Sequence, residues 1–237
     1  MAVASISAAE DPSTRLDVLR LREQIDRMQR RTARVEALPV PEPLSRLFPD
    51  GGLRPGASYA LPSRETGLLL ALLGEVSRTG AWCAVVGVPE LSVEAAEGHG
   101  VDLSRLALLP SPGVRWLQAA SAAAEVFPLV AVRPPSRPGT TEAARLEARL
   151  RDRGAALLTL GGWHGADAEV ATADPEWHGI GQGHGLISAR ALTVSLTGRR
   201  VPRPRRTRVL LPGPTGHIEN LPAATIGARP ALSAVAS

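Results

Sequence analysis

A chain of 237 residues that is 44% apolar, 21% charged and 3% aromatic has material for one core packed with Leu, Val and Ala plus tails, and not for two full cores. All 27 basic residues are arginine; lysine is absent, which excludes a Schiff-base enzyme, a pyridoxal phosphate enzyme using its own lysine, and a P-loop NTPase using its own phosphate-loop lysine. The formal net charge of +4 is modest, so where the arginines lie matters more than how many there are.

Residues 12–38 read as an amphipathic helix with Ser13 as N-cap, and Val18, Leu21, Ile25, Met28 and Val35 form one seam opposite an arginine-rich face. Such a helix docks on its own domain, on a second copy or on another protein; Leu21, Ile25 and Met28 are the expected contact residues. A Pro-rich connector at residues 39–43 closes this segment, so residues 1–43 form an expected helix and linker, 44–211 a core and 212–237 a flexible tail without a periodic face.

Within the core, apolar runs at residues 58–61, 82–88, 106–109, 127–132 and 155–160 alternate with helical stretches at 65–78, 91–97, 114–125 and 141–153. Strict alternation predicts an α/β domain, a mostly parallel sheet flanked by helices. Past Gly161 the texture changes to Gly, His and Trp, and the alternation at residues 186–196, with a second short run at 208–211, predicts an antiparallel C-terminal extension. Cys83, the single cysteine, sits in an apolar run, which excludes an internal disulfide or a cysteine metal cluster and predicts a buried thiol. His164, His178 and His184 lack metal-ligand spacing, so neither a metal nor a cofactor is expected. The first nine residues lack a basic region and no apolar run nears the ~20 residues of a membrane span. The expected location is the cytoplasm, with association with the nucleoid left open.

Residues 51–80 run glycine turn, strand, polar loop, long helix, the skeleton of a phosphate-binding unit. A working loop needs two glycines five positions apart followed by Lys and Ser/Thr, because amides wrap the phosphates while the ammonium and the hydroxyl reach phosphate and magnesium. With Gly67 as the second glycine, Pro62 stands in place of the first, Leu68 in place of the lysine and Leu69 in place of the hydroxyl. After the strand at 127–132, where a magnesium-holding aspartate belongs, the chain reads Arg133-Pro134-Pro135. The expectation is a degenerate nucleotide site without catalysis.

The stretches Gly51-Gly52-Leu53-Arg54-Pro55-Gly56, Thr79-Gly80-Ala81-Trp82-Cys83-Ala84 and Gly100-Val101-Asp102-Leu103-Ser104-Arg105-Leu106 resemble, in order, three passages of the RecA family. The lysine-free loop, the run Gly80 to Pro89, the turn Arg151-Asp152-Arg153-Gly154 and the loop from Trp177 to Gly185 are similar to the actinobacterial ImuA-prime type of RecA-like proteins. That resemblance implies an accessory subunit of the DNA-damage mutasome, in translesion synthesis and induced mutagenesis. It implies as partners ImuB, an inactive Y-family polymerase, and an error-prone C-family polymerase. Self-association and single-stranded DNA are the other partners the pattern allows. An autonomous single-strand binding protein and an SOS cell-division inhibitor are the competing functions.

Two segments carry the expected DNA contacts. Trp177, in a glycine-rich loop, offers a face for base stacking or else covers the edge of a long hairpin. Arg199, Arg200, Arg203, Arg205, Arg206 and Arg208 put six arginines into ten residues without an acid, held extended by Pro202 and Pro204. A solvated turn or an acidic protein partner competes for the same charges.

Overall fold

The computed structural model describes residues 36–181 and 184–221; the expected contact residues Leu21, Ile25 and Met28 lie outside them. The core is a nine-stranded sheet of β3 (Ser58–Leu61), β4 (Cys83–Val86), β5 (Leu106–Leu109), β6 (Leu129–Val132), β7 (Ala156–Leu160), β8 (Ala168–Gly181), β9 (His184–Gly198), β10 (Val201–Leu210) and β11 (Glu219–Asn220). In space their order is β11-β10-β9-β8-β3-β7-β6-β4-β5. From β8 to β5 every pair is parallel, whereas β8, β9, β10 and β11 pair antiparallel, as the alternating sequence after Gly161 requires.

Four helices follow from the 3.6-residue spacing of Leu and Ala: α2 (Thr66–Arg78), α3 (Val93–Gly98), α4 (Trp116–Val126) and α5 (Thr140–Arg153), with a single turn α1 (Glu42–Ser45) before them. Ser92 caps α3 by accepting from the Ala95 amide, and Gly154, left-handed at φ 68°, ends α5. Strands β3, β4, β6 and β7 are buried along their whole length, because α2 covers one face and α4 with α5 the other. Leu68, Leu69, Leu72 and Leu73 of α2 pack on Cys83, Val85, Leu129 and Leu158; Leu146 and Leu150 of α5 pack on Leu157 and Trp163, whose indole N–H donates to Glu147 at 3.1 Å.

The fit between α2 and the rest is close at Gly74, where a Cβ would come within 2.7 Å of the His99 carbonyl oxygen. Cys83 is buried and burial alone pushes its thiol up to about 12.

Two segments differ from expectation. The Pro-rich connector is no spacer: Leu38–Pro39 forms β1, paired with β2 (Gly52–Leu53), and Val40 and Leu44 are buried. Apolar contact with α2 fixes this stretch where composition alone suggested a stiff link. Residues 212–221 do not leave the core as a tail, because β11 pairs with the end of β10 and the Asn220 side-chain amide donates to Glu42 at 2.8 Å. Of the two alternatives for the region around Trp177, the long hairpin is the one observed: the residue lies within strand β8, and Gly179, at φ 99°, carries the bulge there, since a Cβ would stand 2.1 Å from the Leu186 carbonyl oxygen.

Candidate functional site

The phosphate-loop position lies between the end of β3 and the start of α2. The Glu65 amide donates to the Pro62 carbonyl at 3.1 Å, so residues 62–65 close a tight turn and that amide points back into the turn. Leu68 and Leu69 are both 0% exposed and belong to the core under the sheet. Gly67 stands where a side chain would touch the His99 ring, at 3.4 Å from Nε2.

Glu65 is the residue that sequence reading missed. Its carboxylate takes Arg190 Nη2 at 2.7 Å and Nη1 at 3.4 Å, and the Thr172 hydroxyl at 3.1 Å, so β8 and β9 clamp the turn. Arg190 also donates from Nε to the Leu211 carbonyl at 2.9 Å, and its guanidinium lies 5.4 Å from the centre of the Trp177 ring. The only sequence signal was the pairing of a carboxylate and an arginine 125 residues apart, which no local pattern reveals. Trp177 stands directly opposite Arg190 in the hairpin and is 53% exposed, so one ring face holds the arginine and the rest meets solvent.

Arg133 follows β6 as expected, and its backbone amide donates to Val86. Its guanidinium forms an ion pair with Glu90 and reaches the Ser63 carbonyl at 3.5 Å, filling the space beside the turn with positive charge.

A nucleoside triphosphate with magnesium would require a flexible amide-lined loop, an ammonium, a hydroxyl and a carboxylate. The donor set here is a proline turn, two buried leucines, a carboxylate already bound on the loop and an arginine at the cation position. These residues do not fit that ligand. Among the described residues no three His, Cys, Asp or Glu side chains come together as metal ligands.

The six arginines of the dense run divide. Arg199 and Arg200 form the turn between β9 and β10, and Arg203, Arg205 and Arg206 are exposed on β10. Arg205 donates to the Arg46 carbonyl at 3.1 Å, and Arg208 pairs with Glu176 at 2.9 Å. The start of β10 lies level with the start of β8, while Trp177 sits nine residues further along β8. At about 3.3 Å per residue that is about 30 Å, so the tryptophan and the arginine turn belong to opposite ends of the sheet and do not form one patch.

Residues 46–165 match the MT3502 N-terminal domain family. The chain belongs to that family. A relative in Mycobacterium tuberculosis, the uncharacterized protein Rv3395c, is 33% identical over 165 residues, spanning 63% of this chain and 81% of that protein. This member of the MT3502 family is also similar to the crystal structure of the RadB recombinase, with a TM-score of 0.57 at 16% identity, covering 76% of this chain and 97% of that one. The fold of the described residues is therefore RecA-like, with the mostly parallel sheet and antiparallel C-terminal strands expected from sequence. No helix among the described residues is long and apolar enough to cross a membrane.

Proposed function

We propose that this chain is a non-catalytic RecA-like accessory subunit of a DNA-damage-induced mutasome, of the ImuA-prime type, acting through contacts with ImuB and an error-prone C-family polymerase. The observation that carries the non-catalytic part is the phosphate-loop position, where Leu68 and Leu69 are core residues and Glu65 is tied to Arg190. A turn held by its own strands has no freedom to wrap a phosphate, and a carboxylate at that place repels one. The family match and the RecA-like fold are consistent with the reading, and the resemblance of the lysine-free loop and the 80–89 run supplies the process.

Affinity capture from damage-treated cells, followed by identification of the co-purifying proteins, tests it. The expected result is recovery of both polymerases with the full chain and their loss with Leu21→Asp, Ile25→Asp and Met28→Asp combined. Undiminished capture by that triple variant overturns the helix assignment, and ATP turnover by the pure protein overturns the non-catalytic one.

A second reading, direct binding of single-stranded DNA, is favoured by one specific arrangement of arginines, developed next.

A further inference from the structure

We propose that single-stranded nucleic acid lies along the amino-terminal edge of the parallel sheet, the end opposite the phosphate-loop position, on a track of arginines that finishes on an exposed aromatic platform. The inference rests on the nucleic-acid reading above for its ligand class and does not depend on which polymerases are bound.

The track is assembled from segments distant in sequence. Arg199 and Arg200, at the turn into β10, start it, with Arg203 exposed two residues into the strand. Arg200 lines a cleft together with Arg54, which precedes β3. The next turn, at Gly56, packs directly on the end of α5: a Cβ on Gly56 would come within 3.0 Å of the Arg151 Cα, and the Gly56 amide donates to Ala155 at 2.9 Å. Arg151 and Arg153 are both exposed there. Ala156 donates to Pro128 at 2.8 Å, which brings the start of β7 beside the residue that follows Phe127.

Phe127 and Trp82, preceding β6 and β4, form the platform. Their ring centres are 6.2 Å apart with 38° between planes, and Arg105, preceding β5, lies over the Trp82 ring at 5.6 Å. Trp82 is 42% exposed, and Leu103, shortly before Arg105, and Val126, just before Phe127, are 40% and 73% exposed. An exposed indole at a strand start, backed by a second ring and carrying a guanidinium, is a stacking surface that packing of the core does not require.

From β10 to β5 the edge crosses seven strand spacings, about 34 Å. That length suits a site of several nucleotides, within the range of about 4–16 that single-strand binding folds cover. The carboxylates near this edge include Asp50, Asp102, Asp152, Asp167 and Glu125, the last paired with Arg149 at 2.6 Å. Asp167 is engaged by Arg54 at 3.6 Å and by the Ser58 amide, and Asp102 by the Ser104 amide and hydroxyl. Among the described residues no carboxylate lies within 4.0 Å of the side chains of Arg151, Arg153, Arg199, Arg200 or Arg203, which leaves these charges for a ligand. An acidic peptide would use the charges but gains little from the rings, and the coincidence of both favours bases on a phosphate chain.

Fluorescence anisotropy of the purified full chain with a labelled 20-nucleotide oligo-dT, across salt, tests the proposal. Binding is expected to weaken steeply with salt, with a logarithmic slope of about −0.7 per phosphate neutralised. Arg200→Glu with Arg203→Glu, and separately Arg151→Glu with Arg153→Glu, should each weaken binding at least tenfold and flatten that slope. Trp82→Ala should weaken it about fivefold or more without flattening the slope, and Trp82→Phe should restore most of the loss. Arg115→Glu with Arg137→Glu, exposed at the opposite end of the sheet, is the control and should leave binding within twofold.

Equal losses from the control pair, no effect of Trp82→Ala in a protein that melts normally, no binding at about 50 mM salt, or equally effective competition by poly-glutamate each overturn the proposal. Loss of DNA binding with polymerase capture intact leaves the accessory function standing.

Discussion

Replacing Arg190 by alanine is the most direct probe of the clamp on the phosphate-loop turn. The guanidinium makes two bonds to Glu65 and one to Leu211, and the two side chains of the pair keep only 17% and 14% of their surface in contact with solvent. Breaking a fully buried pair by removing one partner costs about 3–5 kcal/mol, and a bond to a charged group contributes about 1.5–3 kcal/mol. Here the residual solvent contact and the surviving bond from Thr172 soften the loss, which places the expected cost at about 3 kcal/mol. For a domain of this size that is a fall in Tm of about 6–12 °C, read by circular dichroism at pH 7. Glu65→Ala and the double variant complete a cycle in which the coupling should exceed about 1 kcal/mol. Single effects that add within about 0.5 kcal/mol, or an Arg190→Ala protein melting within a degree of the parent, would refute the claim that β8 and β9 hold this turn.

Three further outcomes follow from the core. Gly74→Ala should destabilise in spite of alanine's better helix propensity, because the new methyl meets the His99 carbonyl at 2.7 Å; urea unfolding should show a loss of about 1–3 kcal/mol. Leu68→Lys, which writes the missing ammonium back into the loop, should neither bind ATP in equilibrium dialysis nor keep the parent's stability, since it buries a charge at a fully enclosed position. Cys83, with its folded pKa raised from 9.0 to about 12, should resist alkylation by iodoacetamide in the folded protein at pH 8 and react once urea unfolds it. The same shift gives a sign for pH: the unfolded chain loses the thiol proton first, so the stability present below pH 9 declines as pH rises toward 12.

The parallel part of this fold was legible because its central strands are short, predominantly apolar runs bounded by turns, and residues 58–61 and 106–109 coincide with β3 and β5 to the residue. Strand β8 was legible only as one of two alternatives, a long hairpin or a glycine-rich loop. Its sequence from Ala168 to Gly181 mixes Asp174, Pro175 and Gly179 into a pattern broken by two bulges, so the alternation expected of a strand is interrupted where the backbone bends.

The chemistry of the loop could be read from Pro62, Leu68, Leu69 and Arg133, because what they lack is a property of each residue alone. The bond from Glu65 to Arg190 and the row from Arg200 through Arg54 to Trp82 could not, since each depends on which strands become neighbours. Proximity of that kind follows from the sheet order, where β3 stands between β7 and β8 although those two follow each other directly along the chain and β3 lies far before both.

The hydrogen bond between Asn220 and Glu42 joins the last described strand to the first described helix. The RecA-like body is therefore nearly a closed loop: entry and exit lie side by side against α2. A permuted gene that bridges residues 221 and 42 with a short peptide and opens new ends beside Val114, which is 97% exposed, would preserve every neighbour in the nine-stranded sheet. Fusion partners attached at either original junction would be delivered to one spot on the surface, a useful property for anyone wiring this scaffold into a larger assembly.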